Sequence, residues 1–212
     1  MCGALYLAVS GLSDYRYDGS SQSDRSPTWQ GNLHCWRADG WYAGAVLTAV
    51  DFGDQPPTTM EADLYGGRHV AVGANDLNLE LLWTHFDKSA PGPSYDVFEP
   101  QAELTRAFGR LTVKGLVAWS PEGSDHTGRY WHLKGTVAYA VAPWLSFSGR
   151  LGRIWSERGQ DRWHFDAGAT ASWKRLSLDA RYGGTDLGPA QCYGTMWCAP
   201  GAYASVTWRL LP

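Results

Sequence analysis

Nowhere does the 212-residue chain hold the 18 or so consecutive apolar residues that a membrane-crossing helix needs. Methionine is scarce at three, Ala/Glu/Lys-rich stretches are few and glycine reaches 25, a balance that argues against helix in general. An excess of charge of one sign is missing too. Eighteen basic and 21 acidic residues give a net charge of −3 and a pI near 6.0, so nothing favours a nucleic-acid partner. No Pro/Ser-rich linker or charge run divides the sequence, and one domain over 1–212 is expected. The start, Met1-Cys-Gly-Ala-Leu-Tyr6, carries no basic leader or cleavage site. It is the start expected of a chain whose signal peptide has been replaced by a methionine. A mean hydropathy of −0.34 excludes a helical membrane protein. A β-barrel passes that test, because half of each spanning strand faces a polar lumen.

What the chain does have is tryptophan, twelve in all, set at the ends of short alternating segments. In Leu77–Trp83, Leu111–Trp119, Trp131–Tyr139 and Trp163–Trp173, every second residue is apolar or glycine, and a large aromatic closes the apolar row. Indole and phenol rings favour the headgroup region on either side of the hydrocarbon, whereas a soluble sheet has no reason to place them at a rim. The alternation predicts twelve strands: 4–16, 27–37, 41–50, 60–70, 77–86, 95–106, 110–119, 128–140, 144–155, 162–173, 175–183 and 201–210. Tight turns alternate with longer polar loops between them. The expected fold is all-β, a 12-stranded antiparallel up-and-down transmembrane barrel. Its short turns would face the periplasm with Met1 and Pro212, its longer loops the cell exterior.

One parity rule sorts the faces. With the apolar set turned outward, Trp29, Trp83, Phe98, Trp119, Trp131, Trp155, Trp163 and Tyr182 fall near the extracellular rim. Tyr139, Trp173 and Trp208 fall near the periplasmic one. Arg106 and Arg153 land on the outer face near strand ends, where snorkelling or a bulge is needed. The third strand is apolar on both faces and decides nothing. The alternative, a soluble β-sandwich or calycin-like barrel, needs a dry interior for all the tryptophans and a polar exterior.

The opposite parity set lines the expected lumen: Asp14, Arg16, His34, Glu61, Asp63, Glu80, Glu99, Glu103, Lys114, His132, Lys134, Arg150, Arg162, His164, Asp166, Asp179, Arg181 and Arg209. Charges of both signs are intolerable in a dry core unless paired, so the interior is wet or cross-linked by ion pairs. Eight strands leave room for side chains alone and 16 an open channel, so twelve predict a narrow bore. The expected function is a porin-like channel for passive diffusion of small polar solutes or ions, with outer-membrane lipid and lipopolysaccharide around it. The alternative is a closed structural or partner-binding barrel. Catalysis is not expected. His164 and Asp166 share a face near His132, as a general base would require, but no nucleophile motif accompanies them. The six histidines show no metal-ligand spacing, so no metal or cofactor is expected. Cys192 and Cys198, with five residues between them in the last long loop, are expected to form a disulfide that closes a small surface loop; the functional alternative is a rigid Trp197-bearing tip that binds something at the cell surface. Cys2 and Cys35 lie near the periplasmic ends of neighbouring strands and could pair, stay free or, at Cys2, bear lipid.

Ser13-Asp-Tyr15, Ser21-Gln-Ser-Asp24, Gln30-Gly31, Gly40-Trp-Tyr-Ala-Gly44, Val50-Asp-Phe-Gly-Asp54 and Glu61-Ala-Asp-Leu-Tyr-Gly66 resemble the TorF-type porin family of small proteobacterial outer-membrane barrels. Echoes at Ser94–Glu99, Gly149–Gly152 and Asp179–Tyr182 with Gly184–Asp186 extend the likeness across most of the chain. The resemblance implies an outer-membrane barrel with a pore role and brings no catalytic residues. Two departures stand out. Arg16-Tyr-Asp-Gly19 replaces an aromatic-Arg-Gly, and the chain runs past Trp208 to Leu-Leu-Pro212 where barrels commonly end on an aromatic.

Overall fold

The computed structural model describes residues 2–88 and 90–211; the expected periplasmic placement of Met1 and Pro212 falls outside them. Among the described residues fourteen strands form: β1 (Ala4–Leu12), β2 (Arg16–Tyr17), β3 (Ser20–Ser21), β4 (Thr28–Trp36), β5 (Trp41–Ala49), β6 (Met60–Val72), β7 (Asn75–Phe86), β8 (Val97–Phe108), β9 (Leu111–Ser120), β10 (Tyr130–Ala142), β11 (Leu145–Ser156), β12 (Arg162–Trp173), β13 (Leu176–Thr185) and β14 (Gly201–Arg209). Twelve close into one antiparallel barrel in the order β1-β14-β13-β12-β11-β10-β9-β8-β7-β6-β5-β4, and β2 and β3 form a separate hairpin. Each expected strand has one counterpart in the wall, and short and long connections alternate as the turn residues imply.

The first strand is the exception. The alternation carries it to residue 16, but the wall strand ends at Leu12. Ser13 still donates its N–H to the Ala204 carbonyl, and the chain then leaves the wall. Asp18 and Gly19 take positive φ, 43° and 85°, as the two-residue turn joining β2 to β3 requires.

The faces follow the parity rule. Outward Leu81, Val137 and Leu151 are each at least 50% exposed, whereas inward Ala8 and Ala118 are 1% exposed. An apolar exterior of this extent is stable against hydrocarbon rather than water. Ten of the eleven girdle aromatics are outward and exposed, up to 70% at Trp173. Trp119 is half-buried, its ring centroid 6.4 Å from that of Trp131. Trp41, Phe108 and Trp144 join the exposed aromatics. β5 is resolved as well: Trp41 and Leu47 point out, Tyr42 and Thr48 in. Arg153 needs no bulge, because its guanidinium carbon lies 5.1 Å from the ring centroids of both Trp155 and Trp163. Arg106 rests over Phe108 at 5.2 Å. Each cation is thus held by an aromatic face at the rim.

Candidate functional site: the lumen and its infolded segment

The wall strands divide the lumenal charges by sign. Glu61 and Asp63 on β6, Glu80 on β7, and Glu99 and Glu103 on β8 make an acidic arc. Lys114, Lys134, Arg150, Arg162, Arg181 and Arg209 come from six consecutive strands, β9 to β14, and make a basic arc. Carboxylates within the basic arc are paired: Asp166 Oδ2 lies 2.6 Å from Arg150 Nε, and Arg181 donates to Asp166 and, at 3.4 Å, to Asp179. Lys114 meets Glu103 at 2.9 Å where the arcs adjoin. On the acidic side neutral donors serve. Tyr42 bonds Glu80 at 2.6 Å, Thr84 bonds Asp63 at 2.6 Å, and Tyr130 bonds Glu99. Towards the short-turn end His34 sits between Trp36 and Tyr42, its Nδ1 2.9 Å from the Tyr65 hydroxyl. Arg209 lies half-buried in register with Ala8.

Across this bore runs the segment that leaves β1. Asp14 and Arg16, expected on the wall, belong to this infolded segment instead. Arg16 Nε pairs with Asp14 at 2.6 Å, and its Nη1 donates to the carbonyls of Gly19, Gly183 and Ala199. Tyr15 reaches the opposite way, to Glu61 on β6. At the hairpin tip Asp18 faces β10 and β12: Lys134 Nζ is 3.1 Å from Oδ1, His132 Nδ1 3.6 Å from Oδ2, and His164 Nδ1 3.7 Å from Oδ1. Burial opposes ionisation of Asp18, but Lys134, His132 and His164 together hold its carboxyl well below the usual carboxylate range. His164 therefore faces Asp18 and not Asp166, whose oxygens are taken by two guanidinium groups. The sequence spacing of the histidines hid this convergence, since its members come from three distant elements. The available signal was Asp18-Gly19, a strong marker of a two-residue hairpin inside a long loop.

The long loops pack over the infolded segment. Tyr15, Val50 and Phe86 form a buried cluster with Leu12, Phe52 and Tyr95 against it. The Cys192–Cys198 disulfide forms as expected. Its loop does not hold Trp197 out to solvent: the indole packs 6.2 Å from Phe52 and donates to Asp24, and the Trp197 carbonyl accepts from Ser21 N–H. Cys2 and Cys35 are joined by a second disulfide. In the loops, burial would raise the Asp87 carboxyl, but bonds from the Thr59 hydroxyl and the Met60 and Thr59 N–H groups hold it below its ordinary value.

No curated protein matches the sequence. Solved structures show where the fold recurs. The KdgM porin, solved alone and in complex with disordered oligogalacturonate, superposes with a TM-score of 0.66 at 8% identity, covering 97% of this chain and 98% of that one. The NanC porin gives 0.65 at 12%, covering 97% and 100%. An outer-membrane channel from Pseudomonas putida F1 gives 0.62 at 11%, covering 99% and 95%. These likenesses establish a shared architecture, the closed 12-stranded barrel. The family assignment comes from sequence: over residues 4–206 the chain matches the model of Gcw_chp, described as a bacterial protein of unknown function, and it belongs to that family.

Proposed function

We propose that the protein is a porin-like channel of the bacterial outer membrane that passes small polar solutes or ions. The observation that carries the reading is a lumen with an acidic arc facing a basic arc across a bore narrowed by the infolded segment. Opposed arcs set up a transverse field, which favours small solutes that are dipolar or well hydrated over apolar ones. The fold is that of the KdgM and NanC porins, and the KdgM complex gives a precedent for a polar solute in such a barrel. The resemblance of residues 42–65 to TorF-type porins points the same way. In this reading lipid and lipopolysaccharide surround the apolar exterior, the short turns and both termini face the periplasm, and the charged groups steer solute without catalysing anything.

A second reading, a closed scaffold or partner-binding barrel, is favoured by one observation: the infolded segment is pinned on three sides, through Tyr15, Arg16 and Asp18. Planar-bilayer conductance separates the two. Wild-type protein is expected to give discrete steps, enlarged when residues 16–21 are replaced by a shorter Gly/Ser link. A silent wild type with a conducting variant means a closed barrel that the segment seals. Silence from both, with folding verified, defeats the channel reading.

A further inference from the structure

His132 and His164 are each 2% exposed, yet they stand on strands that are not neighbours. β11 separates them, and the residue in register with both Lys134 and His164 is Gly152. A side chain at Gly152 would collide with the His164 ring, so the glycine leaves the wall bare where the two imidazoles meet above it. Their Nε2 atoms lie 2.8 Å apart, and each Nδ1 faces one oxygen of Asp18. The Asp18 side chain is 5% exposed, and its Oδ2 is buried without a hydrogen-bond partner among the described residues.

From this geometry we propose a binding site for a divalent transition-metal cation of the zinc class, formed by Asp18, His132 and His164. One ligand atom from each residue lies within 4.8 Å of the other two. Nitrogen–oxygen gaps of 3.6 and 3.7 Å are too long for hydrogen bonds. They are close to the separation of about 3.4 Å between two ligands each about 2.1 Å from one tetrahedral ion. Two imidazoles and one carboxylate select zinc over magnesium or calcium, which take all-oxygen sets. The ion must displace Lys134, whose ammonium now holds Asp18 Oδ1 at 3.1 Å, and must part the Nε2–Nε2 hydrogen bond, because an imidazole bound through Nδ1 carries its proton on Nε2. Lys134 is therefore a built-in competitor. Because Asp18 is the hairpin tip and the histidines belong to the wall, the bound ion ties the infolded segment to β10 and β12. The site does not depend on whether the barrel conducts.

Calorimetric titration of the detergent-solubilised full chain with Zn²⁺ alone tests it. One ion per chain is expected, with affinity lowered at least tenfold in D18N, H132Q and H164Q and raised in K134M. The exposed His69–Asp76 and His85–Asp96 pairs are the alternative places for adventitious zinc. Binding unaltered by H132Q and H164Q but lost in H69Q or H85Q overturns the assignment, as does an absence of binding. Should the lumen variants misfold, X-ray absorption of zinc-loaded wild-type protein decides: two imidazoles in the coordination shell support the site, and one or none contradicts it.

Discussion

The Tyr15 hydroxyl donates to Glu61 Oε1 at 2.5 Å, tying a segment that has left β1 to a strand three places round the wall. Both groups are buried, so deleting the hydroxyl leaves a Glu61 carboxyl oxygen in the lumen short of a donor. Y15F is expected to destabilise the barrel by about 1–3 kcal/mol. Denaturant unfolding in micelles reads this, and in bilayers the same variant should show noisier or larger conductance. An unaltered midpoint together with unaltered conductance would mean that the bond does not hold the segment in place.

Arg153 is tolerated outside because two indoles flank it at the rim. Its replacement by Leu is expected to cost no more than about 1 kcal/mol, the worth of exposed cation–π contacts. By contrast, an arginine at Val137, within the apolar band of β10, should cost about 2–4 kcal/mol. Comparable losses at the two positions would contradict the depth assigned to them.

The Cys192–Cys198 loop braces the infolded segment through the Trp197 carbonyl and the Trp197–Asp24 bond. Closing so small a loop is worth about 2–3 kcal/mol of chain entropy. The C192S/C198S variant should lose amide-exchange protection in residues 186–200 and at Ser21, while the wall strands keep theirs. Protection unchanged at Ser21 would show that the two loops are not coupled.

Asp87 anchors two loops through Thr59 and Met60. Its folded pKa lies below the ordinary carboxylate value, so its stabilising effect is fully present above about pH 4 and is lost as pH falls through the folded pKa. Proteolytic susceptibility of residues 87–96 should therefore stay flat from pH 7 to 5 in wild type. In D87N it should already be raised at pH 7. A rise in wild type between pH 7 and 5 would contradict this assignment.

Period-two alternation with aromatic ends made the wall legible in the sequence, because every outward position answers to the same solvent, lipid. Strand number, loop alternation and the aromatic girdles all follow from that one constraint. The infolded segment does not obey it. Ser13–Arg16 continues an alternating pattern, and nothing local says that Asp14 and Arg16 will bond to each other and to Gly183 and Ala199 rather than line β1. The meeting of Asp18, His132 and His164 was hidden for the same reason. Register across β11 brings the two rings together, and a glycine at 152 permits it, but register between distant strands is not written in any one of them. Trp197 shows the converse: the alternative of an indole presented on a polar loop falls away once Phe52 and Asp24 are seen against it.

Spin labels placed singly along β10 and read for collision with oxygen and with a water-soluble nickel chelate give the most direct check on which face meets lipid. Labels at Val137 and Leu133 should favour oxygen, and those at Thr136 and Lys134 the chelate, with a period of two residues. Equal access at both sets, or the reverse order, would contradict a barrel with hydrocarbon outside and water within.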